Sequence, residues 1–325
     1  MNIEEFLQEI IRAFRNAGIA SPEAEARILA CHVLSCDPSH LMLHREEEID
    51  DKVLLASAAL INERCKGRPI QYVVGTANFY GIDLAVDERV LIPRPETELL
   101  VELAIREFNT PKSDAACTAG IAEVRKALGL QPSPKILDLC TGSGCIAAAL
   151  ARNLPKAEIT ATELSPRAFM LARVNLRPYG NVKVLRGDLF EALDMAAGLS
   201  DSMSAGTKVP GCPKSGASAA DTAFDAILSN PPYVPSGAIP GLSREVRDHE
   251  PVMALDGGSD GLDIIRRIIS ETPQYLKNSG LLLIEMGDDQ GTEVLSLAAE
   301  NGKYRQAEIL KDLTGRDRFL KAVKR

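Results

Sequence analysis

The period of the apolar residues changes after Leu99, and that change limits the chain to a narrow set of folds. Residues 135–139, 158–162, 182–185, 224–229 and 281–285 are short, largely apolar runs that read as strands. Between and after them, residues 145–152, 166–176, about 261–271 and about 290–300 carry helical spacing. Strands that alternate with helices predict an α/β fold, a parallel sheet covered by helices on both faces. Residues 318–323 predict an added edge strand.

The earlier part of the chain follows a different pattern. Ile3, Phe6, Leu7, Ile10, Ile11 and Phe14 form the stripe of an amphipathic helix. Ser21-Pro22-Glu23 reads as the start of a second, with Ser as N-cap and Pro at the first helical position. Val53, Leu54, Ser57, Ile61 and Cys65 suggest a third. From Val73 to Val90, aromatic and β-branched residues around Gly75, Gly81 and Asp83 predict a β-hairpin. With 325 residues, two domains are expected: a helical bundle over 1–74, a hairpin connector over 75–93, and a large domain over 94–325. Two stretches, about 109–133 and 195–222, lack periodicity suited to the sheet and read as irregular insertions.

The balance of 37 Lys and Arg against 45 Asp and Glu gives a net charge of −8, so no overall field gathers nucleic-acid phosphates. No apolar run approaches the roughly 18 residues of a membrane span, and the first residues are acidic. The expectation is a soluble cytoplasmic protein. Seven cysteines without a C-x-x-C pair argue against a disulfide scaffold. Cys36, His40 and His44 have i, i+4, i+8 spacing, but Asp37-Pro38 interrupts a helix there and no fourth ligand follows. No metal site is expected.

The first strand of the large domain runs through Asp138 and Leu139 into Cys140-Thr141-Gly142-Ser143-Gly144 and then a helix. Glycines at 142 and 144 let backbone amides approach a ligand at the carboxyl end of the strand. Glu163, ending the next strand, is placed to accept from both hydroxyls of a ribose, in NAD or in S-adenosylmethionine alike. Asp188 and Leu189 follow the third strand, where a carboxylate can accept from an adenine amino group and an apolar side chain can cover the ring. The glycine loop and Glu163 fit a dinucleotide as well, so the preference for S-adenosylmethionine, with S-adenosylhomocysteine as product, comes from Asp188 and Leu189 and above all from the exit of the fourth strand.

The fourth strand leads into Asn230-Pro231-Pro232-Tyr233. An amide nitrogen is a poor nucleophile because its lone pair is delocalised, as the roughly 18–20 kcal/mol rotation barrier of a peptide bond shows. Its methylation needs the group fixed and the growing positive charge stabilised. The Asn230 side-chain oxygen can accept one N–H of a planar NH2 group and the Pro231 carbonyl the other, leaving the lone pair aimed at a methyl. Neither proline has a competing N–H, and Pro231 holds Asn230 extended. Tyr233 offers a face for a planar group. These four residues do not say whether the nitrogen belongs to glutamine, adenine or cytosine.

The chain resembles the release-factor glutamine methyltransferases, also called the HemK family, over nearly its whole length apart from the two irregular stretches. The most specific segments are Gly67-Arg68-Pro69-Ile70-Gln71-Tyr72-Val73-Val74-Gly75 with Phe79-Tyr80-Gly81, and Leu91-Ile92-Pro93-Arg94-Pro95-Glu96-Thr97-Glu98. Glu250-Pro251, Ala254-Leu255-Asp256-Gly257-Gly258-Ser259-Asp260-Gly261-Leu262 and Gly315-Arg316-Asp317-Arg318 agree in order.

The resemblance implies an N-terminal helical domain that helps hold a release factor, and a Rossmann-like catalytic domain. It implies methylation at N5 of the glutamine in the Gly-Gly-Gln motif of class I peptide-chain release factors. Residues 140–144 and Glu163 become contacts of the cofactor's methionine and ribose, Asp188 and Leu189 lie near adenine, and Asn230 to Tyr233 hold the glutamine, Asn230 touching the cofactor as well. Catalysis falls to Asn230, Pro231 and Tyr233. The family usually has glycine where this chain has Cys140, so a requirement there for positive φ would weaken cofactor binding.

The alternative is an amino-methyltransferase acting on adenine N6 or cytosine N4 of nucleic acid, using the same loop on a flipped base. It should carry a region of clustered Lys and Arg, and the sequence shows none. A non-catalytic dinucleotide-binding or partner-binding domain would instead prefer NAD.

Overall fold

The computed structural model describes residues 1–109, 133–196 and 223–325. The two irregular stretches expected at about 109–133 and 195–222 lie outside the described residues apart from their ends.

Helix α1 (Ile3–Asn16) starts in a capping box: Asn2 accepts from the Glu5 amide, and the Glu5 side chain accepts from the Asn2 amide. Its apolar stripe buries Ile3, Phe6, Ile10 and Phe14 against α2 (Pro22–Leu34) and α4 (Asp51–Cys65), in a core that α5 (Ile70–Val74) completes by packing on those two helices. Pro22 opens α2 as expected, although the Ser21 side chain makes no capping bond. Asp37-Pro38 begins a new short helix, α3 (Pro38–Leu43), with the Asp37 carboxylate accepting from the Ser39 and His40 amides.

The expected hairpin is β1 (Thr76–Phe79) against β2 (Ile82–Ala85), antiparallel with Phe79 opposite Ile82. Tyr80 and Gly81 form its two-residue loop, both with positive φ (52° and 72°), as a twist-matched turn requires.

The large sheet has seven strands in the order β5-β4-β3-β6-β7-β9-β8. Its strands are β3 (Lys135–Leu139), β4 (Glu158–Glu163), β5 (Val182–Arg186), β6 (Phe224–Ser229), β7 (Leu276–Glu285), β8 (Tyr304–Lys311) and β9 (Asp317–Lys324). β3 to β7 pair in parallel, and β9 is antiparallel to both β7 and β8. Along β3 and β6 alternate residues serve opposite faces. Ile136, Ala226 and Leu228 pack toward α6 (Pro95–Asn109) and α7 (Cys145–Asn153). Leu137, Leu139 and Ile227 pack toward α10 (Asp263–Tyr275) and α11 (Gly291–Asn301). Burial on both faces explains why these strands read as unbroken apolar runs.

The terminal strand is not the edge that the sequence suggested. β9 inserts between β7 and β8, and β8, unrecognised in the sequence, takes the edge. Phe319, Leu320 and Ala322 are all fully buried, which fits an interior strand. β8 alternates poorly, with Arg305, Gln306 and Lys311 exposed, so its apolar signal is weak.

Arg64 of α4 ties the bundle to the rest of the chain. Its side chain is 1% exposed and bridges Glu25 of α2 and Glu245 of α9 (Arg244–His249). Removing one member of a buried ion pair strands the other. Glu245 is about half-exposed and contributes less, so most of the loss comes from Glu25 and from the packing of the guanidinium. Arg64→Ala is expected to cost about 3 kcal/mol, seen as an earlier urea unfolding midpoint.

Candidate active site

The sheet reverses direction of winding between β3 and β6, since β4 and β5 extend to one side and β6 and β7 to the other. Open α/β sheets bind ligands outside the carboxyl ends of the strands at such a point. A cavity of about 450 Å³ lies there, within the size range of small-molecule sites. Cys140, Thr141, Gly142, Ser143, Glu163, Asp188, Leu189, Asn230 and Pro232 all line it. The sequence-expected residues thus come together from four strand ends. Gly144, Pro231 and Tyr233 stand beside this wall.

The loop after β3 is built on left-handed backbone: φ is 59° at Cys140, 55° at Gly142 and 85° at Gly144. Gly144 answers to packing, because a Cβ there would stand 2.9 Å from Leu176 of α8 (Pro166–Leu176). At Cys140 the left-handed conformation is the one the sequence flagged as costly for a non-glycine residue, by roughly 1–2 kcal/mol. Burial pushes the Cys140 thiol well above its usual range, which favours the neutral thiol.

Glu163 organises this loop. One carboxylate oxygen accepts from the Gly142 amide at 2.9 Å and the other from the Ser165 amide at 2.8 Å. Burial raises its pKa, while these backbone N–H groups oppose the shift by stabilising the anion. Each oxygen keeps a lone pair for a further donor. Beneath the loop, Thr141 Oγ1 donates to Asp138 at 2.6 Å, and burial pushes the Asp138 carboxyl up to about 7. After β5, Asp188 pairs with Arg267 of α10 at 3.0 Å, and Leu189 is buried with φ 45°.

The exit of β6 is held from behind. Asn230 Nδ2 donates to Thr97 Oγ1 at 3.0 Å, and Thr97 Oγ1 donates to Glu285 Oε2 at 2.7 Å. The Tyr233 hydroxyl donates to Glu285 Oε1 at 3.3 Å. Glu285 is wholly buried at the end of β7, and that burial pushes its carboxyl up to about 7 against the pull of Thr97 and Arg318. Arg94 lines the cavity and pairs with buried Glu250 at 2.8 Å. The segment 255–261 backs the same loop: the Val234 amide donates to Leu255 O, the Gly257 amide to Val234 O, and Gln290 Nε2 to Tyr233 O, each at 2.9 Å.

Sequence reading assigned no role to Thr97, Glu285, Arg94 or Glu250. Three of them lay inside the quoted segments 91–98 and 250–251, but only three-dimensional proximity shows what they touch. His40 and His44 stack at 4.2 Å and both face Glu47 at 3.5 Å on the bundle surface. Cys36 does not belong to that group.

Comparison with known proteins agrees with this architecture. Residues 5–75 match the family model described as PrmC N-terminal domain, and residues 136–207 match one described as Methyltransferase domain. The chain is 34% identical to the release factor glutamine methyltransferase of Rhodopirellula baltica, covering 96% of this chain and 92% of the relative. It is 34% identical to that of Moorella thermoacetica, covering 100% and 99%. It is 35% identical to that of Chlorobaculum tepidum, covering 99% and 97%. No helix among the described residues is long and apolar enough to cross a membrane. With relatives of this identity aligned along essentially its whole length, and with the glycine loop and the Asn-Pro-Pro-Tyr exit meeting at one cavity, the chain belongs to the release factor glutamine methyltransferase family.

Proposed function

We propose that the chain transfers a methyl group from S-adenosylmethionine to N5 of the glutamine in the Gly-Gly-Gln motif of class I peptide-chain release factors, one N–H proton leaving the nitrogen, with S-adenosylhomocysteine as the other product. The observation that carries this reading is Asn230. Its Nδ2 donates to Thr97, which turns Oδ1, the acceptor end of the amide, away from Thr97 and leaves it for a substrate N–H at the cavity.

The bound cofactor supplies an electrophilic methyl on a positively charged sulfur. The residues of the chain hold, orient and stabilise. Cys140 to Gly144 cradle the methionine part, Glu163 takes the ribose hydroxyls on its remaining lone pairs, and Asp188 with Leu189 receives the adenine. The cavity suits this division: acceptor carboxylates stand on two neighbouring strand ends, and its wall is mainly apolar between them. Asn230 Oδ1 and the Pro231 carbonyl accept the two glutamine N–H groups, directing the nitrogen lone pair at the methyl. The same dipoles stabilise the positive charge that grows on nitrogen during transfer. Tyr233, tethered through its hydroxyl, stiffens the loop beside the planar amide. The helical domain over 1–74 holds the release factor, and this substrate places the enzyme in the cytoplasm with the translation machinery.

Transfer to a nucleic-acid base would need a cationic surface, and a net charge of −8 gives no observation in its favour. The test is peptide mass spectrometry of unmodified release factor after incubation with the chain and S-adenosylmethionine. One methyl on the Gly-Gly-Gln glutamine supports the reading. Cofactor binding without that methyl overturns it.

Glu163→Gln gives a separate expectation. The amide keeps one acceptor oxygen but presents hydrogens where the Gly142 or Ser165 amide and a ribose hydroxyl need lone pairs. S-adenosylmethionine affinity is expected to fall roughly 10- to 100-fold, from the ~1.5–3 kcal/mol of a hydrogen bond to a charged group. Isothermal titration calorimetry reads the change directly.

A further inference from the structure

An amide oxygen and an amide nitrogen are nearly isosteric, so packing alone does not decide which way an asparagine faces. At Asn230 the decision is chemical. An ionised carboxylate accepts hydrogen bonds and has none to donate. Glu285 is fully buried, and its two oxygens face the Thr97 hydroxyl at 2.7 Å and the Tyr233 hydroxyl at 3.3 Å. Each hydroxyl has one hydrogen, and each spends it on Glu285. Thr97 Oγ1 then offers only lone pairs to the Asn230 amide 3.0 Å away. A lone pair accepts an N–H and repels a carbonyl oxygen, so one of the two orientations of Asn230 is favoured.

We propose that Thr97 and Glu285 are positioning residues, a directed hydrogen-bond chain from the end of β7 through the first turn of α6 that keeps Asn230 Oδ1 facing the acceptor amide. Neither touches the reacting atoms; both act through Asn230. The chain keeps its direction when Glu285 takes up a proton. The more distant Tyr233 oxygen can receive that hydrogen while Thr97 still donates to the other carboxyl oxygen. Thr97 stands in the first turn of α6 because its amide donates to Arg94 O at 3.1 Å, and its side chain is 1% exposed, so its hydroxyl has no competing water. The chain also explains a buried acid at the end of a central strand. Without the Thr97 and Tyr233 donors, Glu285 would carry an unmatched polar group into the core.

The proposal rests on Asn230 holding the substrate amide, and two readouts separate it from that reading. Thr97→Val keeps the shape and removes the hydroxyl; Thr97→Ser keeps the hydroxyl. With release factor as substrate, Thr97→Val is expected to lower kcat about tenfold, with KM and the dissociation constant of S-adenosylmethionine unchanged within about twofold. Thr97→Ser is expected to retain kcat within about threefold. A docked protein substrate owes its KM to contacts far from the amide, so the effect belongs in kcat.

The second readout needs no methyl acceptor. It is NMR-detected hydrogen exchange of the Asn230 Nδ2 protons, identified by their absence in Asn230→Ala. Exchange is expected to quicken about tenfold or more in Thr97→Val and to stay near the original rate in Thr97→Ser. Wild-type behaviour of Thr97→Val in both measurements overturns the proposal. Equal impairment of the two variants also overturns it, since that reports packing rather than the hydroxyl. Absence of any glutamine methylation by the unaltered chain overturns the functional reading instead, and the exchange rates still decide for or against the hydrogen-bond chain.

Discussion

Asn230→Ala lowers kcat for release-factor methylation by roughly 10²- to 10³-fold, the scale of losing one preorganised charge-stabilising group, and leaves S-adenosylmethionine affinity within about threefold of the original. The split between the two numbers is the informative part. Glu163, Asp188 and the 140–144 loop reach the cavity from β3, β4 and β5. Asn230 reaches it from β6, on the other side of the switch point, and is anchored from behind by Thr97. Truncation at 230 therefore removes the acceptor for the substrate N–H without disturbing the far wall. Single-turnover methyl transfer from radiolabelled cofactor, beside calorimetry of cofactor binding, measures both. Unchanged turnover would take Asn230 out of the mechanism, and with it the Thr97–Glu285 chain as a device for catalysis. A parallel fall in cofactor affinity would instead make Asn230 chiefly a cofactor ligand.

Much of this arrangement was legible in the sequence because it depends on local pattern. The strands at 135–139 and 224–229 and the helix at 166–176 fall where their apolar runs and proline caps place them. Aromatic and β-branched residues around Gly75, Gly81 and Asp83 marked the hairpin, although not which two residues form its turn. The cavity residues were legible for a related reason: in a parallel sheet, each sits just past the carboxyl end of its strand. β8 was not legible, since its partly exposed edge position blurs the alternation that identifies a strand. The order β7-β9-β8 was not legible either, because pairing order is a property of distant segments.

The polar residues behind Asn230 were hidden for the same cause. Thr97 and Glu285 are separated by 188 positions and meet only through the register of β7 and the start of α6. In the sequence Thr97 is one residue of the segment 91–98 and Glu285 is a strand-end glutamate, and the helix that carries Thr97 was not read there. Cys140 is the reverse case: the sequence marked it as a departure, and its φ of 59° shows that the position does demand the conformation glycine adopts at least cost.

Gly261→Ala is expected to reduce methyl transfer more than cofactor binding and to lower the melting temperature by roughly 5–15 °C. Gly261 has φ 78°, a conformation that costs an alanine roughly 1–2 kcal/mol. Space makes the strain worse. An added Cβ would overlap the Tyr233 carbonyl oxygen and stand 2.5 Å from Gln290 Nε2. Those are the two groups that bond at 2.9 Å to fix the end of the Asn-Pro-Pro-Tyr segment, so relief of the overlap must move Tyr233 or break the clasp. Overpacking of this kind adds roughly 1–3 kcal/mol. Displacing Tyr233 also pulls its hydroxyl from Glu285. The disturbance then passes to Thr97 and Asn230 through bonds already described, while Glu163 and the 140–144 loop lie beyond its reach. Differential scanning calorimetry and turnover at a temperature well below the new transition distinguish the two consequences. A variant that melts earlier yet turns over normally at low temperature would mean that the loop tolerates movement at Tyr233. A variant slow even when fully folded would mean that the glycine at 261 holds the reacting amide in place through the backbone of Tyr233.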